Sequence, residues 1–250
     1  MIPIGSTIPV QPIPWITYAL LGANVALFWY EIRLGPFLES FFIRYGWIPA
    51  RFSLAITQGQ FPSLLPLLTS IFLHGSWVHL GGNLFFLYVF GRQVEDHLGH
   101  TRYASFFCLG GAVAMLVQTY LSPFSQVPMI GASGAIAAVA GAYCMFFPNA
   151  RVLTFIPIPF VFRTVRVPTV GYLLVWLVSL VASGLYLVAL NGRFTDGGAW
   201  GAHLGGFIAG VVFGPLSLSF KRRNARKKRS KHWQPDSPLG LDSLRSVLRY

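Results

Sequence analysis

Hydrophobic residues in this chain come in long runs separated by short polar breaks. A helix needs about 20 mostly apolar residues to cross the hydrocarbon core of a bilayer. Six windows of that kind are present, at 15–34, 64–90, 102–121, 131–147, 169–190 and 197–220. The pattern predicts an all-α membrane protein built as a bundle of six transmembrane helices over 15–220, with a segment 1–14 before it and a tail 221–250 after it. The connection 35–63 holds Phe37, Phe41, Phe42, Tyr45, Trp47 and Phe52 among a few charges. That is too aromatic for a solvated loop, and aromatic rings of this kind prefer the headgroup level, so a structured interfacial first loop is expected.

Composition supports this. Of the residues, 54% are hydrophobic and 10% charged, less than half the charge of an ordinary soluble domain. The net charge of +12 sits mostly in the tail: eight Lys and Arg fall between Lys221 and Lys231, and none precedes Arg33. A nucleic-acid-binding surface would need them spread over a fold, so no nucleic-acid partner is expected. The run suits a cytoplasmic flank in contact with the bilayer, anionic lipid included.

Counting Lys and Arg on alternate sides of six spans gives Arg92, Arg102, Arg151, Arg163, Arg166 and ten in the tail against Arg33, Arg44, Arg51 and Arg193. Both termini are therefore expected in the cytoplasm. The stretch 1–14 contains four prolines and no basic residue, so it lacks the n-region of a signal peptide and the first apolar segment is expected to be retained. Cys108 and Cys144 lie in apolar stretches, and no disulfide is expected. No fixed-period repeat or matched pair of broken helices is visible, which argues against a transporter. The stretch 239–250 reads equally as a short amphipathic helix or as disordered chain.

Ionisable and amide groups within apolar spans are costly and point to function. His79 and Asn83 share a helix face at i, i+4 spacing. Ser133 lies in Gly131-Ala132-Ser133-Gly134, and His203 in Ala202-His203-Leu204-Gly205-Gly206. Singly, each has an ordinary explanation: a serine bonding back one turn, or a histidine or asparagine joining two helices. Together they are expected to share the outer half of the membrane, on three spans that all enter from the outer side. Gly206, Gly210 and Gly214 follow His203, and Ala137, Ala140 and Gly141 follow Ser133, so the two helices can approach closely.

The run from His74 through His79 to Asn83, with the serine and histidine motifs, resembles bacterial rhomboid proteases. Gly91 to Glu95 and Gly99 also fit the family pattern, and the resemblance extends over 15–220. It implies a six-helix rhomboid bundle in the bacterial inner membrane and an intramembrane serine protease acting on transmembrane-protein substrates. Ser133 would be the nucleophile and His203 the base of a dyad, with no cofactor or metal. His79, Asn83 and the Ser133 N–H would stabilise the oxyanion. His74 and Gln118 are candidates to line the cavity, with a loop-anchoring hydrogen bond and an interhelical amide contact as their equal alternatives. Glu95 is expected to tie down a cytoplasmic loop, and 191–196 to act as a mobile cap. Client-binding relatives without activity lack the serine or the histidine, and this chain has both.

Two departures stand out. Some members stack an aromatic residue one turn after the serine on the histidine, where this chain has Ala137, so His203 is expected to be held differently. A Trp-Arg pair found in loop one of some members is missing just before span two, leaving Trp47 and its neighbouring aromatics as the expected anchor.

Overall fold

The computed structural model describes residues 2–10, 13–158, 161–191 and 199–232. Of the segment expected as a cap, 191–196, all but Asn191 lies outside the described residues, as does the stretch 239–250. Two compact units are present, residues 1–215 and 216–250. The first unit is mostly helical, and in the second the last helix continues as far as His232.

Strand β1 (Ile2–Ser6) leads to helix α1 (Trp15–Glu31), then α2 (Leu38–Tyr45), α3 (Pro49–Thr57), α4 (Leu65–Thr69) and α5 (Trp77–Phe86). Next come α6 (Arg92–Leu98), α7 (His100–Leu121), α8 (Ser133–Phe146), strands β2 (Arg151–Ile158) and β3 (Val161–Pro168), α9 (Thr169–Asn191) and α10 (Trp200–His232). Two stretches, His100–Leu121 and Thr169–Tyr186, are each long and apolar enough to cross a membrane. Ser133–Phe146 and Trp200–Leu216 are shorter apolar helices.

The second apolar window is not one helix, as its composition suggested. A short α4 and a 3-10 turn (Ser70–Phe72) end at Leu73, which is extended. A new helix starts at Trp77 because Ser76 adopts a β conformation and its hydroxyl accepts the N–H of His79, the N-cap arrangement. From there a π-helical stretch (Leu87–Gly91) joins α5 to α6, so helix runs unbroken to Leu98. Hydropathy averaged over a spanning-length window hides this break, because the linker 73–76, polar or small apart from Leu73, is short and flanked by apolar runs.

The first connection holds α2 and α3 and closes on Trp47. That indole is only 2% exposed; its Nε1 donates to Thr119 Oγ1 at 2.8 Å, and its backbone pairs with Met129. The fold is not wholly α as expected: a three-stranded antiparallel sheet, ordered β1-β2-β3, forms from part of the segment 1–14 and from the stretch between the fourth and fifth apolar windows. Its signature is modest: Val152 and Thr154 are buried while Arg151, Thr164 and Arg166 are exposed, the period-two alternation of a half-buried strand. Pro3 is tolerated because β1 lies at an edge of the sheet.

Helix α8 is the centre of the bundle, with every residue from Gly134 to Tyr143 buried. Its small side chains let neighbours reach its backbone. A Cβ on Gly206 would sit 2.2 Å from the Gly134 carbonyl oxygen, one on Gly210 1.9 Å from that of Ala138, and one on Gly214 3.0 Å from Ala142 Cβ. These contacts rise together along both helices, so α8 and α10 run parallel. Opposite them, Gly110 meets Ala138 and Gly134 meets Ala114, the reversed order of an antiparallel α7.

Candidate active site

Ser133 is the first residue of α8, where backbone N–H groups have no helical acceptor and point out of the helix end. The turn before it is built by Gly131, at φ +119°, whose N–H donates to Ser70 O at 2.8 Å. A Cβ there would lie 2.6 Å from His79 Nε2. Glycine is required twice, by the positive φ and by the imidazole filling the side-chain space.

The α8–α10 seam brings His203 to the same level. Gly206, just under one turn after His203, rests on the carbonyl of Gly134, the neighbour of Ser133. The third contributor is α5, whose Ser76 cap places His79 in its first turn and Asn83 one turn later.

Ser133, His203, His79 and Asn83 line one cavity of about 440 Å³, together with Val78, Gly82, Phe86, Ile130, Ile136, Trp176, Leu180 and Ala199. His203 Nδ1 is buried and, among the described residues, has no hydrogen-bond partner. An imidazole without a carboxylate behind it is suited to a Ser/His pair rather than a triad.

His74 and Gln118, the candidate cavity-lining residues, are placed elsewhere. His74 is 1% exposed and sits behind Asn83, with its Nε2 2.9 Å from Asn83 Nδ2. Gln118 accepts the Ala202 N–H at 3.1 Å, and a Cβ on Gly201 would lie 2.6 Å from its Oε1. Both match the alternative expectations, an anchoring hydrogen bond for His74 and an amide contact between helices for Gln118, whose Nε2 also donates to Ser122 Oγ at 3.3 Å; neither is among the residues lining the cavity.

Trp176 is the site residue that the motifs did not reveal. Its ring meets His203 edge-on at 6.1 Å and 74°, and packs on Phe86 at 5.0 Å. Ala137, meanwhile, is fully buried beside Gly206. The aromatic neighbour of the histidine therefore arrives from α9 and not from α8. An isolated tryptophan in an apolar run carries no signal of that role.

Glu95 is not among the residues lining this cavity. Its buried carboxylate accepts Ile16 N–H at 2.9 Å, Thr17 N–H at 2.7 Å and the Thr17 hydroxyl at 2.6 Å, and pairs with His100 Nδ1 at 2.5 Å. It caps the start of α1 and ties it to the α6–α7 corner.

The model of the Rhomboid domain matches residues 62–220, well over half of the chain, and this stretch contains all four cavity polar groups. The chain belongs to the rhomboid family. Among rhomboid relatives, it is 28% identical over 220 residues to Rhomboid protein 1, mitochondrial, of Saccharomyces cerevisiae, covering 85% of this chain and 56% of that protein. It is 34% identical over 111 residues to Rhomboid-like protein 11, chloroplastic, of Arabidopsis thaliana, covering 44% of this chain and 38% of the relative. With Presenilin-associated rhomboid-like protein A, mitochondrial, of Danio rerio it shares 31% over 151 residues, or 60% and 36% of the two chains. The chain thus spans little more than half, or less, of the length of these curated relatives. They support a rhomboid membrane protein; being organellar proteins of eukaryotes, they do not support the bacterial type or a bacterial inner membrane.

Proposed function

We propose that this rhomboid protein is an intramembrane serine endopeptidase that uses a Ser133/His203 dyad to cut within or beside transmembrane helices of other membrane proteins. The observation that carries the proposal is that Ser133 and His203 line one cavity with His79 and Asn83.

A serine hydroxyl is a weak nucleophile until a base accepts its proton. As Ser133 Oγ bonds to the scissile carbonyl carbon, His203 takes the hydroxyl proton and then passes it to the departing amine. Water repeats the sequence on the acyl-enzyme and releases the acid. Negative charge on the carbonyl oxygen is met by His79, by the Asn83 amide and by the Ser133 N–H, which the helix start leaves outward-pointing. Regular helices hide their carbonyls in hydrogen bonds, so a substrate must unwind locally, which favours small or helix-destabilising residues near the cut.

In this proposal the bundle over 15–220 crosses the bilayer six times, with both termini on the side of the basic tail. The parallel run of α8 and α10 is what an even separation of crossings requires. The tail, 221–250, contacts anionic lipid at about 1 kcal/mol per charge. No cofactor enters the chemistry, and no nucleic acid is a partner.

The test is cleavage of a model transmembrane substrate by purified protein in liposomes. Ser133→Ala and His203→Ala should each lower the rate about 1,000-fold or more; undiminished cleavage by either variant sinks the dyad. A fluorophosphonate should label Ser133 in the parent and not in His203→Ala. An unlabelled parent would point to client binding without hydrolysis.

A further inference from the structure

A second polar chain lies directly behind the oxyanion donors, and none of its upstream members touches the cavity. Glu31, the last residue of α1, is buried, and its two carboxylate oxygens lie 3.1 and 3.3 Å from the backbone N of His74. His74 belongs to the extended linker between the 3-10 turn at Ser70–Phe72 and α5. Its Nδ1 is 3.1 Å from the carbonyl oxygen of Phe72, and its Nε2 is 2.9 Å from Asn83 Nδ2. The His74 ring also packs edge-on against His79, with centroids 5.1 Å apart.

The chemistry of these partners fixes each proton. A carbonyl oxygen only accepts, so His74 Nδ1 carries the hydrogen and donates to Phe72. In the neutral ring Nε2 is then an acceptor. Only the NH₂ side of Asn83 can face it, because the flipped amide would set oxygen against a lone pair. One Asn83 N–H is thereby used, and the amide, itself lining the cavity, keeps its second N–H for a developing oxyanion.

We propose that His74, clamped through its backbone by Glu31, is a positioning residue that sets the orientation of the Asn83 amide and so prepares one of the oxyanion donors. The inference rests on the protease reading above. It assigns His74 no contact with substrate. Preorganised donors stabilise a transition state because they need no reorientation when charge develops. An Asn free to rotate loses that advantage without losing substrate affinity.

The experiment is a double-mutant cycle on kcat and KM for the liposome cleavage assay, using His74→Phe, Asn83→Ala and the pair, with thermal unfolding to confirm that each folds. His74→Phe should lower kcat about tenfold, as expected when a positioned donor is partly lost, and leave KM within about twofold. In the Asn83→Ala background the same change should cost nothing, because its target is gone. His74→Gln, whose Oε1 can accept the Asn83 N–H, should restore most of kcat. Equal losses in both backgrounds, an effect on KM alone, or an unaltered kcat overturns the proposal. Should His74→Phe not fold, His74→Met, a weak acceptor of similar length, takes its place with the same expectations. Failure of the protease reading is distinguishable, because there the parent itself would not cleave, and failure of the dyad alone would leave Ser133→Ala cleaving like the parent.

Discussion

The carbonyl oxygen of Gly134 lies 2.2 Å from the point that a Cβ on Gly206 would occupy. Ser133 and His203, the proposed nucleophile and base, are thus held in register through a main-chain contact. Gly206→Ala should force α8 and α10 apart, at no less than the ~1–3 kcal/mol typical of overpacking. Because displacement of about 1 Å between reacting groups can cost 10²-fold, cleavage should fall more steeply than the melting temperature. Gly22→Ala, with nothing within 4 Å of the new methyl group, is the matched control and should leave both nearly unaltered.

Gly131→Ala tests the turn before the serine. The new Cβ would meet the His79 imidazole at 2.6 Å and force a side chain onto a residue at φ +119°, a conformation costing ~1–3 kcal/mol. The expected result is loss of kcat by about 100-fold or more, with α8 still formed by circular dichroism. A variant retaining parental kcat would show that the turn relaxes without disturbing His79.

Trp47 should be separable into hydrogen bond and packing. Trp47→Phe removes the 2.8 Å bond to Thr119 while keeping a ring to pack against Phe52, and should cost ~1 kcal/mol. Trp47→Ala should cost ~3–5 kcal/mol. Equilibrium unfolding in detergent measures both. Equal losses would mean that the indole N–H dominates.

Glu95 is expected to be structural. Replacing it with alanine strands the buried N–H and hydroxyl of Thr17 and the part-buried N–H of Ile16, at ~1–3 kcal/mol for each buried group left unsatisfied. Glu95→Gln keeps an acceptor and should lose less. Hydrogen exchange at Ile16 and Thr17 should accelerate most in Glu95→Ala, while kcat per folded molecule stays within about twofold, since no catalytic donor is displaced.

The positions of α1, α7, α8 and α9 were legible in the sequence to within a few residues, because long apolar runs report helices directly. The cavity was legible too: Ser133, His203, His79 and Asn83 were singled out as costly polar groups and lie together. What escaped was anything whose signal is conformational. The break at 73–76 is only four residues long, and the apolar runs on either side outweigh it in any window of spanning length. The β2–β3 pairing depends on partners that strand alternation alone does not name. Trp176 looks like any membrane tryptophan until α9 is placed beside α10. For His74 the sequence left cavity lining and a loop-anchoring hydrogen bond as equal alternatives, and its contacts show the second; spacing fixes a helix face and says nothing about a residue in the linker before that helix.

Two kinds of tightly packed glycine in this bundle have different genetic prospects. Gly110 and Gly134 face methyl groups, those of Ala138 and Ala114. An alanine at either position has an obvious suppressor, Ala138→Gly or Ala114→Gly, that hands back the lost space. Gly206 and Gly210 face carbonyl oxygens of α8, and no substitution in α8 makes a carbonyl smaller. A suppressor screen started from either position should therefore return reversion to glycine and little else, whereas one started from Gly110 should find its partner across the seam.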